Sequence, residues 1–282
     1  MTHISDPAFQ AKADIQVRRG DLGRNGCVST IGMARWLEDA RLRVELPRFE
    51  RLVGAGEFDP FQIVLVSQSV ELLAPAHRED TNAQVHTGVR RIGRSSFTFE
   101  HEVFADNKRV GSGEATVLLL GTAGPLALPD ELIADLTALQ MPDSSTTVVN
   151  RPDAERHERD HYAYFTPLRA RICDVDSNQH VNFIALATWY DEAVAAFTSA
   201  ALGVGKGDLL PDLSPSSYRI NYVSEVTYPG DYEIGILVAA FDTDSVHYEL
   251  GIFLEGTCLG VADAVGTRGE LSARSLAPGG PS

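Results

Sequence analysis

The chain of 282 residues contains an internal repeat, which restricts its fold to two copies of one unit. The segment Asp21–Ala40 aligns without gaps on Asp174–Ala193, an offset of 153 residues. Seven of these 20 positions are identical, where average composition predicts about one. Farther along, Val70-Glu71 aligns with Ser224-Glu225 after the offset grows by one residue. Self-similarity at a fixed spacing predicts a duplication.

Each half has the same predicted order of elements: a short strand, a polar loop, a long helix and four antiparallel strands. The helices are predicted over residues 30–44, before Pro47, and over residues 182–201, before Gly203. The strands are predicted near residues 61–72, 83–91, 96–105 and 109–120, and near 217–227, 232–241, 246–254 and 257–266. An apolar helix followed by four strands predicts an α+β fold in which each sheet wraps around one long helix.

The segments outside the repeat set the predicted domain boundaries. Residues 129–136 predict a short helix with a proline start and an acidic first turn. Residues 141–161 are polar, charged and interrupted by proline, which predicts a linker. We therefore expect an N-terminal domain over residues 1–142, a linker over 143–162 and a C-terminal domain over 163–282. The tail 277–282 is expected to be disordered.

Charge and composition exclude several classes of protein. The net charge of −15 argues against general binding to nucleic acid or anionic membranes. No apolar run reaches the roughly 18 residues of a membrane helix, and the N-terminus has no signal-peptide pattern. The three cysteines are too far apart for a metal knuckle, and the H-E-x-x-H match at residues 157–161 lies in the charged linker. We expect a cytoplasmic protein without metal or cofactor.

The polar loop of the second half, residues 174–182, has the composition of an active site. Asn182 is predicted to cap the following helix, which places the loop at the positive end of the helix dipole. Turn formation and capping explain the Asp174, Asn178 and Asn182 side chains individually. They do not explain Asp176 and His180 together, and we interpret these two as catalytic.

The motif D-x-N-x-H-V-N at residues 176–182 precedes a helix that carries W-x-x-E at residues 189–192. With this order of elements the sequence resembles the hotdog-fold thioesterases, and most of all the double-hotdog acyl-ACP and acyl-CoA thioesterases. In the plant-type acyl-ACP members, a D-x-N-x-H-V-N-N segment and a downstream Glu belong to the catalytic site. The resemblance implies two tandem hotdog domains and a catalytic set of Asp176, Asn178, His180 and Glu225. Phe183 departs from the second Asn of that motif.

The resemblance implies hydrolysis of an acyl thioester, and the residue types suit that reaction. Asp176 attacks the carbonyl or deprotonates water, Asn178 orients the water, and His180 binds the carbonyl or moves a proton. Glu225 positions water or His180, and the residues leave open whether Asp176 or Glu225 is the base. Backbone N–H groups at the start of the helix, near Val181 and Asn182, are predicted to form the oxyanion hole. Val181, Asn182 and Phe183 are predicted to bind substrate.

The first half lacks most of this set. Gly23 replaces Asp176, Cys27 replaces His180 and Ser29 replaces Asn182, while Asn25 and Glu71 remain. We therefore predict a single active site in the second half, with the first half as scaffold and as a wall of the acyl channel. Cys27 is interpreted as a small buried cysteine, because no histidine lies near it in the sequence.

The sequence also leaves two alternative functions open. An R-specific enoyl-CoA hydratase has the similar motif D-x-N-P-x-H, but the spacing at residues 176–180 is one residue shorter. A non-catalytic protein that binds acyl thioesters is a second alternative.

The pair Asp191-Glu192 recurs as Glu38-Asp39, which favours a structural role. The expected partner is acyl-CoA or acyl-ACP, and the assembly either a monomer with two paired halves or a homodimer of such monomers.

Overall fold

The computed structural model describes residues 9–55, 61–79, 83–142, 152–176, 179–209 and 213–272. The predicted tail at residues 277–282 and the predicted site residue Asn178 lie outside these ranges. The chain divides into two compact units, one of residues 1–28 and 32–149 and the other of residues 29–31 and 150–282. No helix among the described residues combines the length and the apolar character needed to cross a bilayer.

The first unit consists of one long helix, one short helix and an antiparallel sheet. Its elements in chain order are β1 (Ala11–Ile15), α1 (Thr30–Ala55), β2 (Phe61–Leu72), β3 (Ala83–Ile92), β4 (Ser96–Ala105), β5 (Lys108–Gly121), β6 (Gly124–Pro125) and α2 (Asp130–Thr137). The strand order is β1-β3-β4-β5-β2, and β6 pairs with β5. The predicted short helix is α2, which begins after Pro129 with two acidic residues in its first turn.

The second unit repeats this arrangement. Its elements are β7 (Tyr164–Arg169), α3 (Phe183–Ala201), β8 (Ser217–Tyr222), β9 (Asp231–Phe241), β10 (Ser245–Leu254) and β11 (Thr257–Thr267). The strand order β7-β9-β10-β11-β8 corresponds strand for strand to that of the first unit. The two long helices begin at Thr30 and Phe183, which keeps the offset of 153 residues. The predicted α+β fold, with a long helix and an antiparallel sheet in each half, is confirmed.

Each long helix packs against its own sheet. In α3 six side chains are 3% exposed or less, namely Leu186, Ala187, Trp189, Tyr190, Ala193 and Val194. In the first unit, β5 carries glycine where α1 crosses it. A side chain at Gly111 would overlap Met33, and one at Gly113 would overlap Leu37. The small residues therefore allow the helix to lie close to the sheet, where dense packing stabilises both.

Helix α1 is longer than the sequence predicts. The prediction ended it near residue 44 because Pro47 lacks an N–H donor, and proline inside a helix costs about 3 kcal/mol. The helix instead continues through Pro47 to Ala55. Pro47 lies on the exposed side, while Phe49 and Leu52 beyond it are 4% and 2% exposed. Burying two large apolar side chains contributes several kcal/mol, which offsets the penalty of the proline.

Of the predicted linker over residues 143–162, the structure describes residues 152–162. This segment forms two short 3-10 helices that lie against the strands of the second unit. Arg156 is 8% exposed and donates to Asp263 Oδ1 and to the carbonyl of Ala262, each at 2.8 Å. His161 Nε2 lies 2.6 Å from Glu249 Oε2. The charges that suggested a solvated linker are used in ion pairs to the sheet.

A group of polar side chains is buried in the first unit. Arg41 and Glu45, one helical turn apart on α1, form an ion pair at 2.7 Å and are 7% and 2% exposed. His101 on β4 is 1% exposed, and its Nδ1 lies 3.0 Å from Thr87 Oγ1. Burial, with a smaller contribution from the nearby Arg41 charge, lowers the pKa of His101 to about 3. Folded His101 therefore stays neutral over most of the acidic range.

The low pKa of His101 predicts a loss of stability in acid. An unfolded histidine takes up a proton below a pH of about 6.5, whereas folded His101 does so only near pH 3. Because the unfolded state binds the extra proton, the free energy of unfolding falls between these values, by at most ~1.4 kcal/mol per pH unit. Denaturant unfolding of His101→Gln should show a shallower fall between pH 6.5 and pH 4 than the parent protein.

The control is denaturant unfolding of the same two proteins between pH 7 and pH 8. An unfolded histidine takes up little proton in this range, so the pH dependence of the two proteins should agree there. Equal slopes in the acidic range for the parent protein and His101→Gln would contradict the assignment of a buried neutral imidazole.

Candidate active site

A buried carboxylate anchors the start of the polar loop. Asp174 is 5% exposed and accepts hydrogen bonds from the Arg171 N–H at 2.9 Å and from Trp189 Nε1 at 3.3 Å. The Arg171 guanidinium adds two contacts, at 3.0 and 3.1 Å. Burial acts to raise the pKa of Asp174, but the hydrogen bonds and charge of Arg171 outweigh it and hold the pKa below its usual value. Asp174 is therefore a charged structural group that joins the loop to α3.

The rest of the loop closes on itself in a tight turn. The Asp176 N–H donates to the His180 carbonyl at 2.9 Å, and the Gln179 N–H donates to the Asp176 carbonyl at 3.1 Å. Gln179 has a φ of 68°, a left-handed conformation that the turn requires. Asp176 and His180 thus occupy the two ends of one turn, and both are partly exposed.

The segment after β8 holds the other side of the loop. The Val181 N–H donates to the Val226 carbonyl at 2.8 Å, and His180 pairs with Thr227 in an antiparallel bridge. This pairing places His180 Nε2 3.2 Å from Glu225 Oε2. The structure therefore brings together His180 and Glu225, which lie 45 positions apart in the sequence.

The predicted oxyanion donors at Val181 and Asn182 are wrong. The Val181 N–H is used by Val226, and the Asn182 N–H donates to the Asp174 carbonyl at 2.8 Å. The Asn182 side chain is the N-cap of α3, since its Oδ1 accepts from the Ile184 N–H at 2.7 Å. The Phe183 N–H, the first of the helix, donates to no group in the described part of the chain. It is a donor available at the start of this helix dipole.

Comparison with known proteins supports the fold. Residues 34–112 match the family model of the thioesterase superfamily. The structure is similar to a 12:0-ACP thioesterase from Umbellularia californica, with a TM-score of 0.69, 15% identity, and coverage of 90% of this chain and 95% of that one. The chain has the double-hotdog fold of the acyl-ACP thioesterases.

Two further solved structures share this thioesterase fold. A provisionally assigned oleoyl thioesterase from Lactobacillus plantarum has a TM-score of 0.72 and 13% identity, with 93% of this chain and 97% of that one covered. An acyl-ACP thioesterase from Bacteroides thetaiotaomicron VPI-5482 has a TM-score of 0.62 and 15% identity, with 90% and 96% covered. No curated protein sequence matches the chain. The resemblance inferred from the loop motif is thus confirmed at the level of the fold.

The first unit of the double hotdog repeats the anchor but not the reactive groups. Asp21 is 5% exposed and accepts from the Arg18 N–H at 2.9 Å and from Trp36 Nε1 at 3.1 Å. The Val28 N–H donates to the Ala76 carbonyl at 2.8 Å, the counterpart of the bond between Val181 and Val226. Asp21 therefore holds its loop in the same way as Asp174.

The equivalence of Glu71 and Glu225 that the sequence alignment suggests is wrong. The matching bonds from Val28 to Ala76 and from Val181 to Val226 show that the offset is 150 residues in this segment, not 154. Pro75 is therefore the counterpart of Glu225, and Glu71 lies within β2. The connection between the helix and the next strand differs in length between the two halves, and a local match of acidic residues hid the difference.

Sequence reasoning missed His77. Cys27 pairs with His77 in an antiparallel bridge, and its Sγ lies 3.5 Å from His77 Nδ1. Cys27 is partly exposed, so its interpretation as a small buried cysteine is also wrong. The two residues are 50 positions apart. The contact could have been found from the pairing of the loop with the segment after β2. This pairing places His77 at the position that Thr227 occupies in the second unit.

The other candidate groups have structural roles. Asp191 accepts a hydrogen bond from the Tyr218 hydroxyl at 2.8 Å, and Glu192 is exposed. His161 of the H-E-x-x-H match is bound to Glu249. Within the described ranges, no three His, Cys, Asp or Glu side chains are arranged to hold a metal ion.

The capping role of Asn182 predicts a specific pattern of stability. Asn182→Ala removes the acceptor of the Ile184 N–H and should lower the free energy of unfolding by about 1 kcal/mol. Asn182→Asp keeps an acceptor at the same place and should remain close to the parent protein. Denaturant unfolding of the two variants checks this pattern, and equal stability of Asn182→Ala and the parent would contradict it.

Proposed function

We propose that this protein hydrolyses fatty acyl thioesters of CoA or ACP to the free acid and the thiol, at a single hydrolytic site in the second unit. The observation that carries the proposal is the contact between His180 and Glu225 at 3.2 Å, beside Asp176 and at the start of α3. One loop thus supplies a carboxylic acid, an imidazole and the N–H of the first residue of α3. These are the groups that this hydrolysis needs. The thioesterase fold supports the same reaction class.

In the proposed mechanism, a carboxylate and the imidazole activate the attack on the thioester carbonyl. Glu225 orients the His180 ring through Nε2, as carboxylates commonly orient catalytic histidines. Asp176, at the other end of the turn, acts as the base for water or as the direct nucleophile. The carbon–sulfur bond then breaks, and the thiolate leaves with little need of an acid because thiols are good leaving groups. Where Asp176 attacks directly, water then cleaves the resulting anhydride to the free acid and restores the carboxylate.

The developing oxyanion is assigned to the Phe183 N–H. This amide points from the first residue of a 19-residue helix, where the helix dipole favours negative charge. One donor of this kind typically contributes roughly 3–4 kcal/mol to the stability of the transition state. The Phe183 ring packs against Tyr222, with ring centres 4.8 Å apart, which fixes the residue that carries the donor.

The proposal places the hydrolytic chemistry in one unit. Gly23 and Pro75 stand where the second unit has Asp176 and Glu225, so the first loop has neither carboxylate. Three solved structures with this fold are described as thioesterases, and one of them acts on a 12:0-ACP substrate. We extend to this chain the acyl thioester as substrate class.

The proposal predicts loss of activity on substitution of the loop groups. Asp176→Asn, His180→Ala and Glu225→Gln should each lower kcat by about 10²-fold or more, the usual contribution of a positioned acid or base. The measurement is the release of free thiol from lauroyl-CoA and lauroyl-ACP. Glu192→Gln on the exposed side of α3 and Glu71→Gln on β2 are the controls, and both should retain parental activity.

The same assay separates hydrolysis from the rival reactions. Hydration of an enoyl-CoA to a β-hydroxyacyl-CoA without thiol release would contradict the proposed function. Binding of lauroyl-CoA by the parent protein without any turnover would contradict it as well.

A further inference from the structure

We propose that Cys27 and His77 form a second, separate nucleophilic site, which takes the acyl group of a thioester onto the Cys27 sulfur. The site lies in the first unit, in the position that His180 and Thr227 occupy in the second. It goes beyond the proposed hydrolytic site, because it uses neither Asp176 nor Glu225.

The backbone holds the two side chains together from both sides. The Gly23 N–H donates to the Cys27 carbonyl at 2.8 Å, and the Cys27 N–H donates to Asn25 Oδ1 at 2.9 Å. The next residue, Val28, is bound to the Ala76 carbonyl, which sets the register that places His77 beside Cys27. The distance of 3.5 Å between sulfur and nitrogen therefore follows from the loop frame rather than from two mobile side chains.

The surroundings of Cys27 favour nucleophilic chemistry. An imidazole at hydrogen-bonding distance can take the thiol proton, and the thiolate is the reactive form of cysteine. Helix α1, 26 residues long, begins at Thr30, three residues after Cys27, so its positive end lies next to the loop. Cys27 is partly exposed and His77 is exposed, which gives a reagent access to both.

The other two cysteines provide internal controls. Cys173 is exposed, but its Sγ lies 3.8 Å from Asp174 Oδ1, whose negative charge opposes a thiolate. Cys258 is 9% exposed, and burial raises the pKa of its thiol. Cys27 thus combines access with a base, whereas each of the others lacks one of these features.

The acyl transfer is balanced without any further reagent. The Cys27 sulfur forms a bond to the carbonyl carbon while its proton passes to His77. The bond from that carbon to the carrier sulfur breaks, and the carrier thiolate takes the proton from His77. The products are an acyl thioester on Cys27 and the free carrier thiol, and no group is oxidised or reduced.

The test uses the full chain with the proposed hydrolytic site disabled by Asp176→Asn. This protein is incubated with lauroyl-CoA, and its intact mass, its modified peptide and the released thiol are measured. We expect one lauroyl group on Cys27 that hydroxylamine removes, together with release of an equal amount of CoA thiol. Both signals should disappear in Asp176→Asn/Cys27→Ser and form at least tenfold more slowly in Asp176→Asn/His77→Gln. Equal thermal midpoints for these variants show that the fold is kept.

Two results would overturn the second site. One is the absence from the Asp176→Asn protein of both a lauroyl group on Cys27 and thiol release that depends on Cys27. The other is acylation that persists after Cys27→Ser. The hydrolytic proposal fails separately, when Asp176→Asn leaves the steady-state rate of thiol release unchanged in the presence of Cys27→Ser.

A measurement without substrate isolates the role of His77. Alkylation by iodoacetamide at pH 7, followed peptide by peptide, should be at least tenfold faster at Cys27 than at the more exposed Cys173. His77→Gln should remove this difference, while the rate at Cys173 stays unchanged. Equal rates at Cys27 and Cys173 in the parent protein would contradict activation by His77.

Discussion

The buried aspartate at the start of each polar loop is the contact on which both units depend. Asp21 and Asp174 are each 5% exposed, and burying a charge is costly unless donors surround it. Each accepts one bond from the backbone three residues earlier and one from the indole of its long helix. The aspartate therefore joins the incoming strand, the loop and the buried helix at one point. These residues are among the few that are identical between the two halves.

The contacts that hold each loop in place are separate from the side chains that the loop presents. The anchors Asp21 and Asp174 and the bridges to the segments after β2 and β8 are the same in both units. The side chains that the frame presents differ: His180 meets Glu225 in one unit, and Cys27 meets His77 in the other. The imidazole lies on the loop in the second unit (His180) and on the facing segment in the first unit (His77). One backbone arrangement thus carries two different pairs of polar side chains, and side chains placed on a shared fold are where function can differ.

The elements that local patterns determine could be predicted from the sequence. The duplication, both long helices, the strands and the place of the polar loop follow from residue periodicity and from repeated positions such as Trp189. The continuation of α1 past Pro47 could not be predicted, because it depends on burial of Phe49 and Leu52 against other elements. The contact of Cys27 with His77 was missed for a similar reason. Strand pairing brings these residues together, and no spacing within the loop reports it.

The backbone of the loop also limits where an oxyanion can be bound. A loop that must hold its own turn uses its N–H groups, and those of Asp176, Val181 and Asn182 already donate to carbonyls. At the start of the helix, the Phe183 N–H has no acceptor within the described part of the chain. By contrast, His180 and Glu225 are 35% and 56% exposed, and exposed ion pairs contribute little to folding. Side chains at these exposed positions can therefore be exchanged at little cost in stability, whereas the buried aspartate cannot. This difference accounts for two loops that share a backbone arrangement and present different side chains.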